Sequence, residues 1–202
     1  MQVACLMMAE RKLNGPAPPS VRCFVASLVV ADSARRLRDA FLQCCPGIVL
    51  TPSGPAPRRA AARLVPLANF HVTLKFLGQV PATALAGLAE QVAALGAEPV
   101  TAEVICYAGL PRPDQAQAVV AELAPHPQLE AWKHALEQRL GGETRPFRPH
   151  VTMVRCRRRT AFAAIAVEHP LLLQLEAPRL FRSDQIAGGM RYTAISGGPA
   201  AP

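Results

Sequence analysis

Residues 69–78 read NFHVTLKFLG and residues 147–156 read FRPHVTMVRC. In the first stretch Phe70, Val72, Leu74 and Phe76 alternate with His71, Thr73 and Lys75, the two-residue period of a β-strand with one buried face. Gly78 is expected to end that strand. The second stretch has the same strand character and repeats the His-Val-Thr triplet at His150, Val151 and Thr152. Residues i and i+2 of a strand share a face. His71 therefore projects with Thr73, and His150 with Thr152, while Val72 and Val151 point the opposite way, into a core. If the two strands lie side by side, two imidazoles and two hydroxyls line one cleft.

The flanking segments suit that arrangement. VRCFVASLVV (21–30) reads as a buried strand. Asp32 or Ser33 is placed to cap a helix running to about Cys44, with Leu37, Phe41 and Leu42 on one face and Pro46 and Gly47 stopping it. TPSGPAPRRA (51–60) reads as a basic, Pro-rich loop, and ARLVP after it as a short strand. Leu85, Leu88, Val92 and Leu95 predict a helix from Pro81 to about Leu95. TAEVICYAGL and QAVVAEL read as strands joined by the turn-rich PRPDQ. Leu129, Trp132, Leu136 and Leu140 predict a helix from about Pro127 to Leu140, ended by Gly141 and Gly142. RCRRRT (155–160) reads as a basic loop, and LLLQLEA, RLFRSDQI and MRYTAIS as closing strands. Strands outnumber helices and many neighbours can pair as hairpins. The fold class is therefore α+β with mostly antiparallel sheet, not a doubly wound parallel sheet. The two halves echo each other, each placing a helix before a strand that carries HVT.

Two hundred and two residues, half of them hydrophobic, are enough for one generous domain or two lobes sharing a core, and exclude disorder of the whole chain. The division expected is a flexible leader over 1–20, one domain over 21–196 and a tail over 197–202. The net charge is +8, with 22 Lys and Arg against 14 Asp and Glu. Most of the excess is arginine, whose planar fork matches phosphate oxygens. The charge raises the case for nucleic acid or another phosphorylated partner; a solvated basic face is the plainer alternative. Six scattered cysteines, none in C-x-x-C spacing, suggest a reducing compartment. With no segment of transmembrane length and no secretory layout, a soluble, cytoplasmic protein is expected.

The paired triplets suit a phosphodiester. Opening a cyclic phosphate needs a base to take a proton from water and an acid to protonate the departing ribose oxygen. Imidazole can serve as either near neutral pH. Hydroxyls can donate hydrogen bonds to the non-bridging oxygens, where charge collects in the transition state. Neither task calls for a metal or a cofactor.

The residues named so far resemble the two signature motifs of the two-histidine (2H) phosphoesterases, and most closely the RNA 2′,3′-cyclic phosphodiesterase branch, once called 2′-5′ RNA ligase. Asn69, His71, Thr73, Leu74, Phe76, Leu77 and Gly78 fill the first motif. Phe147, Pro149, His150, Thr152 and Arg155 fill the second, with Met153 in place of the usual Leu. Arg22 to Ala26 resembles the family's opening strand, and LFRSDQIAGGMRYTAI its closing hairpin near Tyr192. The resemblance implies a bilobal fold with antiparallel sheets around a central cleft and helices packed outside. It also implies hydrolysis of a terminal 2′,3′-cyclic phosphate on RNA to a 2′-phosphate, with His71 and His150 catalytic and Thr73 and Thr152 holding the phosphate. By analogy His71 would protonate the leaving 3′ oxygen and His150 would activate water, a division that the sequence itself does not assign. The family places an arginine near the nucleotide, which would be Arg155. By strict alternation Arg155 does not share His150's face, so the strand would have to bend for it to reach the cleft. A monomer is expected.

Other groups carry weaker signals. Lys75 shares its expected face with His71 and could add positive potential there, or lie in solvent at the strand end. Phe24 could stack on a base or pack in the core. His126, Glu130 and His134 recur every four residues and could form a metal-binding face or a solvated one. Arg155, Arg157, Arg158 and Arg159 could guide an RNA backbone or form an exposed charged turn. Three functions compete: an RNA-end-processing phosphodiesterase, the same chemistry on small cyclic nucleotides or 2′-5′ oligonucleotides, and a catalytically silent RNA- or nucleotide-binding module.

Overall fold

The computed structural model describes residues 19–46, 50, 51, 62–142, 146–187 and 189–196. In chain order these form β1 (Ser20–Leu28), α1 (Ala31–Cys44), β2 (Leu50–Thr51), β3 (Ala62–Leu64), β4 (His71–Pro81), α2 (Leu85–Ala93), β5 (Val100–Leu110), β6 (Ala116–Leu123), α3 (Pro127–Leu140), β7 (His150–Thr160), β8 (Ile165–Leu175), β9 (Arg179–Ile186) and β10 (Gly189–Ile195). The main sheet has the order β10-β9-β1-β4-β7-β6-β5-β8, with the short β3 beside β7 and β2 beside β3. Every pairing is antiparallel except β2 with β3. The expected mostly antiparallel α+β fold is the fold observed.

The sheet is two four-stranded halves meeting at a narrow seam. β4 and β7 share one register pair, Val72 opposite Val151, whereas β1 and β4 are paired from Ser20–Pro81 to Leu28–His71. The helices cross that seam. α1 follows β1 but packs against β8 of the other half, and α3 follows β6 but packs against β4. Both halves therefore contribute to one core, which includes Val25, Val72, Leu74, Val151, Met153 and Leu173. Val72 and Val151 are fully buried, and removing each from water contributes about 1.5–3 kcal/mol. Two smaller apolar clusters sit apart from this core. One holds Phe24, Ala26 and Phe181, with Leu28 and Tyr192 against them. The other holds Ala108, Ala118 and Val120, with Cys106 and Leu110.

Several elements differ from the reading of the sequence. α1 begins one residue earlier than its expected caps, with Val30 at the capping position and no side-chain cap. The Ser33 hydroxyl is used elsewhere: it accepts a hydrogen bond from Gln174 N (3.0 Å) and so fastens the helix to β8. Leu37 and Phe41 are buried as expected, but Leu42 is exposed. β4 does not end at Gly78. It continues to Pro81, with Gly78 at φ +72°, a left-handed conformation that glycine adopts without strain. RCRRRT is no loop but the outer half of β7, and β8 starts at Ile165, ahead of LLLQLEA. The expected leader and tail lie outside the described residues, except Pro19 and Ser20, and Ser20 already belongs to β1. Of the 51–60 loop only Thr51 is described, and it lies in β2.

Lys75 is the largest departure. The register between β1 and β4 skips Leu74 and Leu77, and a skipped residue is a β-bulge that turns the side chains after it to the opposite face. Leu74 and Lys75 are consequently both buried, and Phe76 emerges on the face of His71. The Lys75 ammonium donates to the carbonyl of Gly141, the residue that ends α3 at φ +87°. A cation at a helix C-terminus satisfies a carbonyl that the helix cannot and opposes its dipole. Lys75 is thus neither in the cleft nor in solvent. Lys75→Met should lower stability by about 1.5–3 kcal/mol, the usual contribution of a hydrogen bond made by a charged group. Chemical denaturation would measure the loss, and the activity per folded molecule should stay within about twofold of the parent. A collapse of activity with stability intact would contradict this placement.

Candidate active site

The seam pair sets the geometry of the site. Continuing its antiparallel register by one residue each way places His71 beside Thr152 and Thr73 beside His150. All four side chains lie on the face opposite the buried Val72 and Val151, and all are partly exposed. The two half-sites therefore interlock: each imidazole has the other triplet's hydroxyl as its cross-strand neighbour.

Each imidazole is fastened in the same way. His71 Nδ1 lies 2.7 Å from the carbonyl of Asn69, and His150 Nδ1 lies 2.7 Å from the carbonyl of Arg148. A carbonyl can only accept, so Nδ1 carries the proton and donates, which leaves Nε2 of each ring to do chemistry. Asn69 is held in turn, its amide donating to the carbonyl of Met190 at 2.8 Å, so the β9–β10 hairpin steadies the His71 side.

The surroundings of the two rings differ. His71 packs against aromatic rings, 5.2 Å from Phe24 and 5.1 Å from Tyr192 between centroids. Phe24 also packs on Phe181 and is buried. Phe24 is thus a wall behind His71 and not an open platform. Burial pushes His71 well below the usual imidazole value, to about 4; the Arg155 guanidinium and His150 add to this, and the bond to the Asn69 carbonyl opposes it. Burial also lowers His150. There the Arg148 carbonyl and the Glu122 carboxylate oppose the shift, while the Arg148 and Arg155 guanidinium groups reinforce it.

A bulge also brings Arg155 to this face. The register between β6 and β7 skips Met153. Met153 and Val154 are both buried, and Arg155 emerges exposed on the face of His150 and Thr152. The bend that the sequence required for Arg155 is present, and its charge acts on both imidazoles. Phe76 is the counterpart of Arg155 in the first triplet, five residues beyond its histidine and 59% exposed. Strict alternation put Phe76 with the core; only a bulge, which the sequence does not announce, exposes it. Glu122 was also missed. It lies directly opposite His150 in the β6–β7 register, a relation invisible before the strands are paired.

The remaining candidates lie away from the quartet. His126 caps α3, its Nδ1 accepting from the backbone N–H of Gln128 at 3.2 Å. Glu130 and His134 lie along the same helix, and no group of three metal-ligating side chains occurs among the described residues. Arg157, Arg158 and Arg159 are exposed along outer β7, with Arg159 donating to Gln115. The described cysteines, Cys23, Cys44, Cys45, Cys106 and Cys156, are free thiols. No helix among the described residues is long and apolar enough to cross a membrane.

A bound anion supplies negative charge between the two imidazoles and favours their protonated forms. Sulfate, which does not titrate in this range, should bind more tightly as pH falls from 7 to 5 and should take up protons as it binds. Calorimetry in two buffers of different ionisation heat should show the linkage. Equal heats in both buffers would contradict it.

The LigT-like phosphoesterase family model matches residues 54–116, a span that contains the first triplet. The comparison with curated proteins gave no match. Among solved structures, Escherichia coli LigT complexed with NADP+ is 22% identical with a TM-score of 0.67, covering 88% of this chain and 96% of that one. LigT complexed with 3′-AMP is 22% identical with a TM-score of 0.65, covering 88% and 97%. The TT0787 protein of Thermus thermophilus is 20% identical with a TM-score of 0.66, covering 89% and 100%. At these identities the structural likeness speaks for the fold. Over residues 54–116 the sequence is similar to the LigT-like phosphoesterase family, and across 88% of its length the chain shares the fold of LigT.

Proposed function

We propose that this protein opens terminal 2′,3′-cyclic phosphates on RNA to 2′-phosphates by acid–base catalysis between His71 and His150. The observation that carries the reading is the interlocked quartet, in which two imidazoles with free Nε2 atoms and two hydroxyls share one face across a single strand pair. One Nε2 takes a proton from water as the water oxygen bonds to phosphorus. The other gives a proton to O3′ as the P–O3′ bond breaks. Proton transfer of this kind contributes about 10²–10⁴-fold at each group. Thr73 and Thr152 donate to the non-bridging oxygens, and Arg155 adds charge where negative charge develops. The imidazoles handle both protons themselves, so the reaction proceeds without a metal ion.

The nucleotide character of the substrate rests on Phe76 and Arg155. An exposed ring and a guanidinium in equivalent places beside the two triplets offer flat surfaces for a base. The arginines of outer β7 extend positive charge away from the site, as an RNA strand entering it would require. Solved LigT structures hold 3′-AMP, ATP and NADP+, which supports a nucleotide-sized ligand here.

The test is turnover of an RNA oligonucleotide ending in a 2′,3′-cyclic phosphate, with EDTA present. The parent protein should release the opened product, and His71→Ala and His150→Ala should each lose at least about 10²-fold. Activity that appears only with added metal would contradict the reading. Faster turnover of cyclic mononucleotides would move the substrate to small nucleotides, and binding without turnover would reduce the protein to a nucleotide-binding module.

A further inference from the structure

The two histidines are scaffolded alike but not surrounded alike, and the difference lies in one carboxylate. Glu122 stands opposite His150 in the antiparallel register of β6 and β7. Directly paired residues on one sheet face have Cβ atoms about 4.5–5.5 Å apart. The Glu122 side chain is 17% exposed, and both of its oxygens are engaged. Oε1 accepts from the Arg148 guanidinium, and Oε2 lies 3.6 Å from the Cys106 thiol, which donates. Arg148 thus serves two groups: its carbonyl holds the His150 ring and its side chain holds the carboxylate beside that ring. Across the seam, His71 has Phe24 and Tyr192 where His150 has Glu122.

We propose that Glu122 is a positioning residue for His150, held by Arg148 and Cys106 so that it steadies the imidazolium form of that ring and makes the two histidines unequal. The inference rests on the acid–base reading of the site and adds to it the group that breaks its symmetry. The charged and titratable groups facing His150 are His71 from β4, Glu122 from β6, Arg155 from β7 and Arg148 from the segment before β7, with Cys106 of β5 behind Glu122. Glu122 is the anion in that set. Arg148 partly offsets it, so substitution of either partner moves His150 in a predictable and opposite direction.

The experiment is an NMR titration of the histidine ring C–H signals in the intact protein, with His71 and His150 assigned through His71→Gln and His150→Gln. In Glu122→Gln, which keeps the shape and loses the charge, the His150 midpoint should fall by about half a unit to one unit. The His71 midpoint should move much less. In Arg148→Met the His150 midpoint should rise. The pH–rate profile of Glu122→Gln should shift on one limb only, with the thermal midpoint of unfolding near that of the parent. Equal movement of both histidines, or no movement of His150 in a folded Glu122→Gln protein, would overturn the proposal. The titration requires no turnover, so its failure is distinguishable from failure of the phosphodiesterase reading.

Discussion

The contact between Val72 and Val151 is the constraint on which the site depends. It is the single register pair between β4 and β7, and both side chains are fully buried. Because strand side chains alternate, burying these two valines forces the residues on either side of each onto the opposite face. Those residues are the two histidines and two threonines. A slip of one residue in this pair would send the imidazoles into the core and the valines into the cleft. The helices that cross between halves oppose such a slip, because α1 grips β8 and α3 grips β4. The energy that holds the site together is thus spent in the core behind it.

Internal symmetry extends past the triplets. β4 and β7 have the same sequence of buried and exposed positions over their first eight residues, and each carries a bulge three residues after its histidine. The bulge places the fifth residue after each histidine on the face of the histidines: Phe76 in one half and Arg155 in the other. The fourth residue is turned inward: Lys75 in one half and Val154 in the other. A buried valine needs only apolar neighbours. A buried ammonium needs an acceptor, and the end of α3 supplies one in Gly141. The repeated strand geometry has thus been used for two surfaces of different chemistry, aromatic beside His71 and charged beside His150.

Periodicity is enough to find the strands, the two apolar helix faces and the shared face of each His and Thr, because those features depend on residues near one another in the chain. The bulges are not legible in this way. Nothing in HVTLKF or HVTMVR marks Leu74 or Met153 as the extra residue, and the choice is made by β1 and β6 alongside. Strict alternation accordingly puts Lys75, Phe76 and Arg155 on the faces opposite those they occupy. The same reason hides Glu122, whose place beside His150 exists only once β6 and β7 are paired. Ser33, a natural helix cap in sequence, is drawn instead to the backbone of Gln174, a partner far along the chain.

In the reaction proposed for it, the interlocked quartet would present one acid and one base to a single phosphorus in a fixed orientation, so only one of the two ring P–O bonds should break. Phosphorus-31 NMR of the product formed from an RNA dinucleotide 2′,3′-cyclic phosphate, with EDTA present, measures this directly. The account predicts that all of the product is the 2′-phosphomonoester. A mixture of 2′- and 3′-phosphates, or a cyclic phosphate left unopened by the folded protein, would contradict it.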